Sequence, residues 1–104
     1  MKRFDVYLVM KNPEHGRVVD NLGLCTILSP VELIDLPSII VAPMTTSRED
    51  IPSRVEFEFE GSKGYIMVDQ IRAVENFCFI KKLGKLELGV QVNLCDCLQE
   101  FFAL

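Results

Sequence analysis

The sequence predicts a mainly β chain: a small antiparallel barrel of about five to seven strands, with one helix packed on it at the C-terminal end. Three observations carry this. Arg54-Val55-Glu56-Phe57-Glu58-Phe59-Glu60 alternates charged and apolar residues without a break, the period of a half-buried antiparallel strand. Short β-rich runs recur between clusters of Gly, Pro, Asn and Ser. At the end of the chain the period changes. Val90, Leu94, Leu98, Phe101 and Phe102 form one stripe of a helix, and Asn93, Asp96, Gln99 and Glu100 fall mainly on its other side.

The elements follow in order. Asp5 to Met10 is a first strand. Lys11-Asn12-Pro13-Glu14-His15-Gly16-Arg17 opens a charged surface loop that is expected to run to Gly23. Leu24 to Leu28 is a second strand, closed by Ser29-Pro30. Val31 to Leu36 is expected as a short helical turn, capped by Ser29 with Pro30 at its first position. Ile39 to Thr45 reads as a buried strand and ends in three hydroxyls, Thr45, Thr46 and Ser47. A polar loop leads to the alternating strand, where Val55, Phe57 and Phe59 should face inward. Gly61 to Gly64 turns it into Gly64-Tyr65-Ile66-Met67-Val68-Asp69-Gln70-Ile71-Arg72. That run is expected as one buried strand with Asp69 on one face and Gln70 and Arg72 on the other. Burying such groups without partners costs roughly 2 kcal/mol or more. They therefore imply partners or a site, and the hydroxyl-rich end of the third strand is the best match. Phe77 to Leu83 is a further β-leaning segment, ended by Gly84.

Composition bounds the function. A chain of 104 residues reads as one domain, residues 1–104, able to bury about two-thirds of its unfolded surface. No apolar run approaches the ~20 residues of a membrane-spanning helix, and the N-terminus turns charged too soon for a signal peptide. Cys25, Cys78, Cys95 and Cys97 form no C-x-x-C pair and His15 stands apart, so a zinc site or disulfide framework is not expected and a reduced cytoplasm is. The net charge of −4 argues against nonspecific nucleic-acid binding, though not against a local basic groove.

Five short motifs stand in one order: Asp5-Val6-Tyr7-Leu8-Val9 with Pro13 and Gly16; Ile27-Leu28-Ser29-Pro30; Val41-Ala42-Pro43-Met44-Thr45-Thr46-Ser47; Val68-Asp69-Gln70-Ile71-Arg72; and Lys81-Lys82-Leu83-Gly84-Lys85-Leu86. In that order and spacing they resemble the MazF/PemK toxins of type II toxin–antitoxin pairs, over nearly the whole chain. The resemblance implies an SH3-like barrel of the MazF/PemK/CcdB kind that forms a homodimer. It implies cleavage of single-stranded RNA at short sequences, with no metal and no cofactor. It also implies a cognate antitoxin that wraps the dimer and blocks the RNA groove, with operator DNA reached through the antitoxin complex.

The sequence departs from that family at three places. Gly23-Leu24 stands where the family usually has Arg-Pro, whose Arg is assigned a catalytic role. Val18 stands at a common Glu, and Cys78 at a common Arg. In metal-free RNA cleavage the 2′-hydroxyl attacks the phosphorus. A base must take its proton, an acid must protonate the leaving oxygen, and a cation or donor must hold the added negative charge. A guanidinium does the last by bidentate contact, whereas a hydroxyl only hydrogen-bonds. The expected catalytic set is therefore Thr45 with His15 and Arg17 from the first loop, His15 being the best acid or base by its pKa. The expected RNA contacts are Lys11, Thr46, Ser47, Asp69, Gln70 and Arg72. Bland alternatives stand beside each. His15 can be a solvated loop side chain, Thr45 to Ser47 a strand end, Asp69 a local acceptor and Arg72 a structural ion-pair partner. A second class of function also stands: a non-catalytic toxin-fold protein that binds an antitoxin or poisons a protein target such as a topoisomerase.

Overall fold

The computed structural model describes residues 1–10, 22–46 and 54–104. Lys11, His15, Arg17 and Ser47 lie outside the described residues, as does most of both polar loops. Seven strands and one helix are seen: β1 (Asp5–Met10), β2 (Leu22–Ile27), β3 (Ser38–Thr45), β4 (Arg54–Phe59), β5 (Ser62–Met67), β6 (Arg72–Glu75), β7 (Phe79–Lys85) and α1 (Leu88–Phe101). The strands form one curled antiparallel sheet in the order β4-β5-β3-β2-β1-β7, with β6 also paired to β3.

β3 is the axis of the fold. Its Ile39 and Val41 join Val9, Cys25, Ile27, Val74 and Cys78 in one buried cluster. Its Ala42 and Met44 join Val6, Val55, Phe57, Ile66, Val68, Leu86 and Leu94 in another. Successive residues of a strand face opposite ways, so a strand with core on both faces must be apolar at nearly every position. That is why this run does not alternate. β4, with core on one face only, does alternate. Val55 and Phe57 are buried, Phe59 is half-buried, and Glu56 and Glu58 are exposed.

The helix lays its stripe on the sheet as expected. Leu94 is fully buried, and Val90, Cys97 and Leu98 pack partly against the same cluster. Phe101 and Phe102 instead pair edge to face at 5.0 Å and remain largely exposed. No helix among the described residues is long and apolar enough to cross a membrane.

Several local expectations change. β7 runs Phe79–Lys85, so Phe77 lies on a 3-10 turn before it and Gly84 lies within it rather than ending it, and β5 already begins at Ser62. β2 begins at Leu22 rather than Leu24, because Gly23 and Leu22 pair with Val9 and Met10. It also ends at Ile27, one residue short of the predicted Leu28. The turn after it is a single 3-10 turn, Val31–Leu33, and Ser29 does not cap it. Ser29 Oγ accepts instead from the Ile40 amide at 2.8 Å, and the Ser29 and Leu28 amides donate to the Ile40 carbonyl. A hydrogen bond to a distant strand has displaced the local cap.

One change is larger than the rest. The run from Gly64 to Arg72 is not one strand. β5 stops at Met67, a 3-10 turn covers Val68–Gln70, and β6 restarts the pairing with β3 at Arg72. The cause lies in β3. Ile40 turns its backbone polar groups toward β2, so by alternation Pro43 turns toward β5 and β6. Proline has no amide to donate there. The ladder is broken opposite Pro43, and the chain turns across the gap. Asp69 and Gln70 therefore sit on a turn, not on opposite faces of a strand.

Asp5 is a buried carboxylate with its partners supplied. Its Oδ2 accepts from the Lys2 amide at 2.8 Å and pairs with Lys82 Nζ at 3.4 Å. The turn that brings Lys2 back holds Phe4 at φ 71°, and the Asp5 amide closes it onto the Lys2 carbonyl.

Candidate functional site

The break opposite Pro43 also makes a hollow. About 160 Å³ in volume, it is floored by Val9, Cys25, Val41 and Pro43 and rimmed by Gly23, Gln70 and Arg72. The floor residues share one face of β1, β2 and β3: Cys25 pairs with Tyr7 and Pro43, and Val9 with Gly23. One step beyond the last β2–β3 pair, Leu24 and Met44, stand Gly23 and Thr45. Gly23, which lines the hollow, is therefore near the hydroxyl end of β3, whose Thr45 and Thr46 do not line it. Thr45 pairs with Tyr65 of β5, and Thr46 is exposed immediately after β3.

Thr45 is seated by a close backbone approach. A Cβ on Gly64 would overlap the Thr45 carbonyl and stand 3.0 Å from Thr46 Cα. Only glycine lets β5 pass this close to the end of β3.

The predicted site residues divide. Gln70 and Arg72 line the hollow, whereas Thr45 and Thr46 do not; Thr45 stands two residues along β3 from Pro43, which does. Asp69 does not line it. Its Oδ1 pairs with Arg54 Nε at 3.3 Å, and that Arg54 side chain is 8% exposed. The structural ion pair of this region is thus Arg54 with Asp69. The Arg72 side chain has no ion-pair or hydrogen-bond partner among the described residues. Sequence reasoning missed Cys25 and Pro43. Their signal was the spacing of two from Gly23 and from Thr45, which becomes visible only once the β2–β3 register is known.

The electrostatics favour an anion. Arg72 is the one charged residue among those lining the hollow. Cys25 is no nucleophile: burial pushes its thiol from the ordinary 9.0 up to about 12, with Arg72 and a backbone hydrogen bond at Tyr7 offsetting only part of that. Burial also raises the Cys78 thiol, helped by Glu75 and opposed by Arg72. Larger hollows of about 490 and 690 Å³ lie between α1 and the β4–β5 hairpin. Glu56, Glu58, Glu87, Asp96 and Glu100 line them, and carboxylates repel phosphate. The smaller, cationic hollow is the better candidate. No group of three or more His, Cys, Asp or Glu side chains among the described residues is placed to hold a metal ion.

Residues 2–102 match the family described as PemK-like, MazF-like toxin of type II toxin–antitoxin system. The chain belongs to this toxin family. Several solved structures share its fold at low identity. One, an endoribonuclease in complex with its cognate antitoxin from a mycobacterial species, has TM-score 0.81 and 18% identity, covering 100% of this chain and 96% of that one. MazF from Deinococcus radiodurans has TM-score 0.80 and 15% identity, covering 100% and 97%. A MazE–MazF complex from the same organism gives the same four values. No curated protein sequence matches the chain. The MazF-like barrel, predicted from five motifs, is thus the fold of this toxin-family chain.

Proposed function

We propose that this chain is the toxin of a type II pair and acts as a metal-independent endoribonuclease on single-stranded RNA, with cleavage weakened by Gly23. The observation that carries this reading is the cationic hollow lined by Gly23, Pro43, Gln70 and Arg72, two residues along β3 from Thr45. On a chain of net charge −4, a local cation without a carboxylate partner among the described residues suits a phosphate. Arg72 would hold the phosphate and Gln70 would donate to it. Thr45 and Thr46 would hydrogen-bond the reacting group, with proton transfer falling to His15 of the first loop. His15 would take the proton of the 2′-hydroxyl as its oxygen bonds to phosphorus and give it to the 5′-oxygen as the P–O5′ bond breaks, while Arg17, always charged, would only hold the added negative charge. Asp69, bound to Arg54, would fix the turn that carries Gln70. The protein would work as a cytoplasmic homodimer, restrained by a cognate antitoxin over the RNA groove.

Among the described residues, Gly23 leaves the hollow with Arg72 as its one cation. Losing one electrostatic contact to the transition state typically costs a factor of about 100 to 1000 in rate. Gly23→Arg with Leu24→Pro is therefore expected to raise cleavage of single-stranded RNA by at least about tenfold. Thr45→Ala in that background should lower it again. Vigorous cutting by the unaltered protein would overturn the weakening, and His15→Ala and Arg17→Ala would then identify the groups responsible. Gly23 and Cys78 also favour a second reading, a non-catalytic toxin-fold protein that holds an antitoxin or poisons a protein target such as a topoisomerase. Failure of the Gly23→Arg, Leu24→Pro protein to cut any RNA would select it.

A further inference from the structure

Arg72 lines a second hollow on its other side, of about 140 Å³, with Met10, Val74, Glu75, Phe77 and Cys78. Arg72 therefore lines both hollows, the first with Cys25 and the second with Cys78. Phe77 is 64% exposed, although the 3-10 turn that carries it is pinned. The Asn76 amide donates to the Pro37 carbonyl at 3.0 Å and Asn76 Nδ2 donates to the Leu36 carbonyl at 2.8 Å. On its other side Cys78 is buried. A large ring held on a fixed turn in water forgoes the gain of burial. Beside it lies a cation with no partner among the described residues.

We propose that Phe77 is a base-stacking platform. It takes one unpaired nucleobase of an RNA strand whose adjoining phosphate lies on Arg72. This rests on the RNA reading above and extends it by one nucleotide subsite. The second hollow is far smaller than the 300–1,000 Å³ of a drug-sized site, which suits a single ring system. An aromatic face accepts any base, and Arg contributes charge along the backbone. Glu75, the one carboxylate in the second hollow, repels phosphate and so sets the direction. The base goes toward Phe77 and the phosphate stays at Arg72.

The test uses a fluorescent, uridine-rich 2′-O-methyl RNA oligonucleotide, which cannot be cleaved, and a set carrying one 2-aminopurine at successive positions. Phe77→Ala and Phe77→Leu should each weaken binding about 5- to 150-fold, and Phe77→Trp should stay within about twofold of the unaltered protein. Arg72→Gln should weaken binding and lower the salt slope by about one. One 2-aminopurine position should be quenched by the unaltered protein and not by Phe77→Ala. Thermal melts matching that of the parent would exclude unfolding. Unchanged RNA affinity in Phe77→Ala, with a changed oligomeric mass, would overturn the subsite in favour of a protein interface and leave the RNA reading standing. Wild-type affinity in Phe77→Leu would overturn stacking. No binding of any oligonucleotide by the unaltered protein would overturn the RNA reading itself.

Discussion

Single residues decide how this site is held. Gly64 has no catalytic chemistry, yet the end of β3 rests against it. Gly64→Ala is expected to cost about 1 to 3 kcal/mol as overpacking, read from the denaturant midpoint, and to reduce RNA affinity by displacing Thr45 and Thr46. Cys25 gives a second test. Its thiol titrates at about 12 in the folded chain and at the ordinary 9.0 when unfolded. Below pH 9 both states keep the proton. Between pH 9 and 12 only the unfolded chain releases it, so stability falls as pH rises. Urea midpoints at pH 8 and pH 10 should separate less in Cys25→Ala than in the parent. Thr45, Gln70 and Arg72 were legible as site candidates because polar residues within apolar runs need a reason. The Arg54 partner of Asp69 was not, because two residues 15 apart meet only after β4 and β5 have paired.

Elements were legible where the pattern is local. β4 declares itself by alternation, and its register is checked by two substitutions. Phe57→Ala should cost about 3 to 5 kcal/mol and Glu58→Ala should stay within about 0.5 kcal/mol, both by chemical denaturation. A larger loss from Glu58 would mean that the strand is inverted. α1 was equally legible from its stripe. The break between β5 and β6 was not. Nothing within Gly64 to Arg72 announces a turn, since Val68 and Ile71 continue an apolar run. The breaker is Pro43, on another strand, and its effect passes through a missing amide. The same proline that interrupts the ladder helps to floor the hollow, so the irregularity and the candidate site share one origin.

For the whole molecule, apolar surface left on α1 sets the expectation for assembly. Leu88, Val92, Phe101 and Phe102 are each roughly half exposed or more. A two-fold symmetric homodimer is expected, with light scattering at tens of micromolar giving twice the mass of the chain. Phe101→Glu with Phe102→Glu should shift that mass toward the monomer. How the sheet curls follows from Gly84. The two ends of the sheet, β4 and β7, share no ladder among the described residues. They meet where a Cβ on Gly84 would stand 2.9 Å from the Phe59 ring. A seam sealed by a ring lying on bare backbone behaves as a zipper left undone at its last teeth. Parting it breaks no ladder among the described residues, so the barrel can breathe along this line while those ladders stay whole.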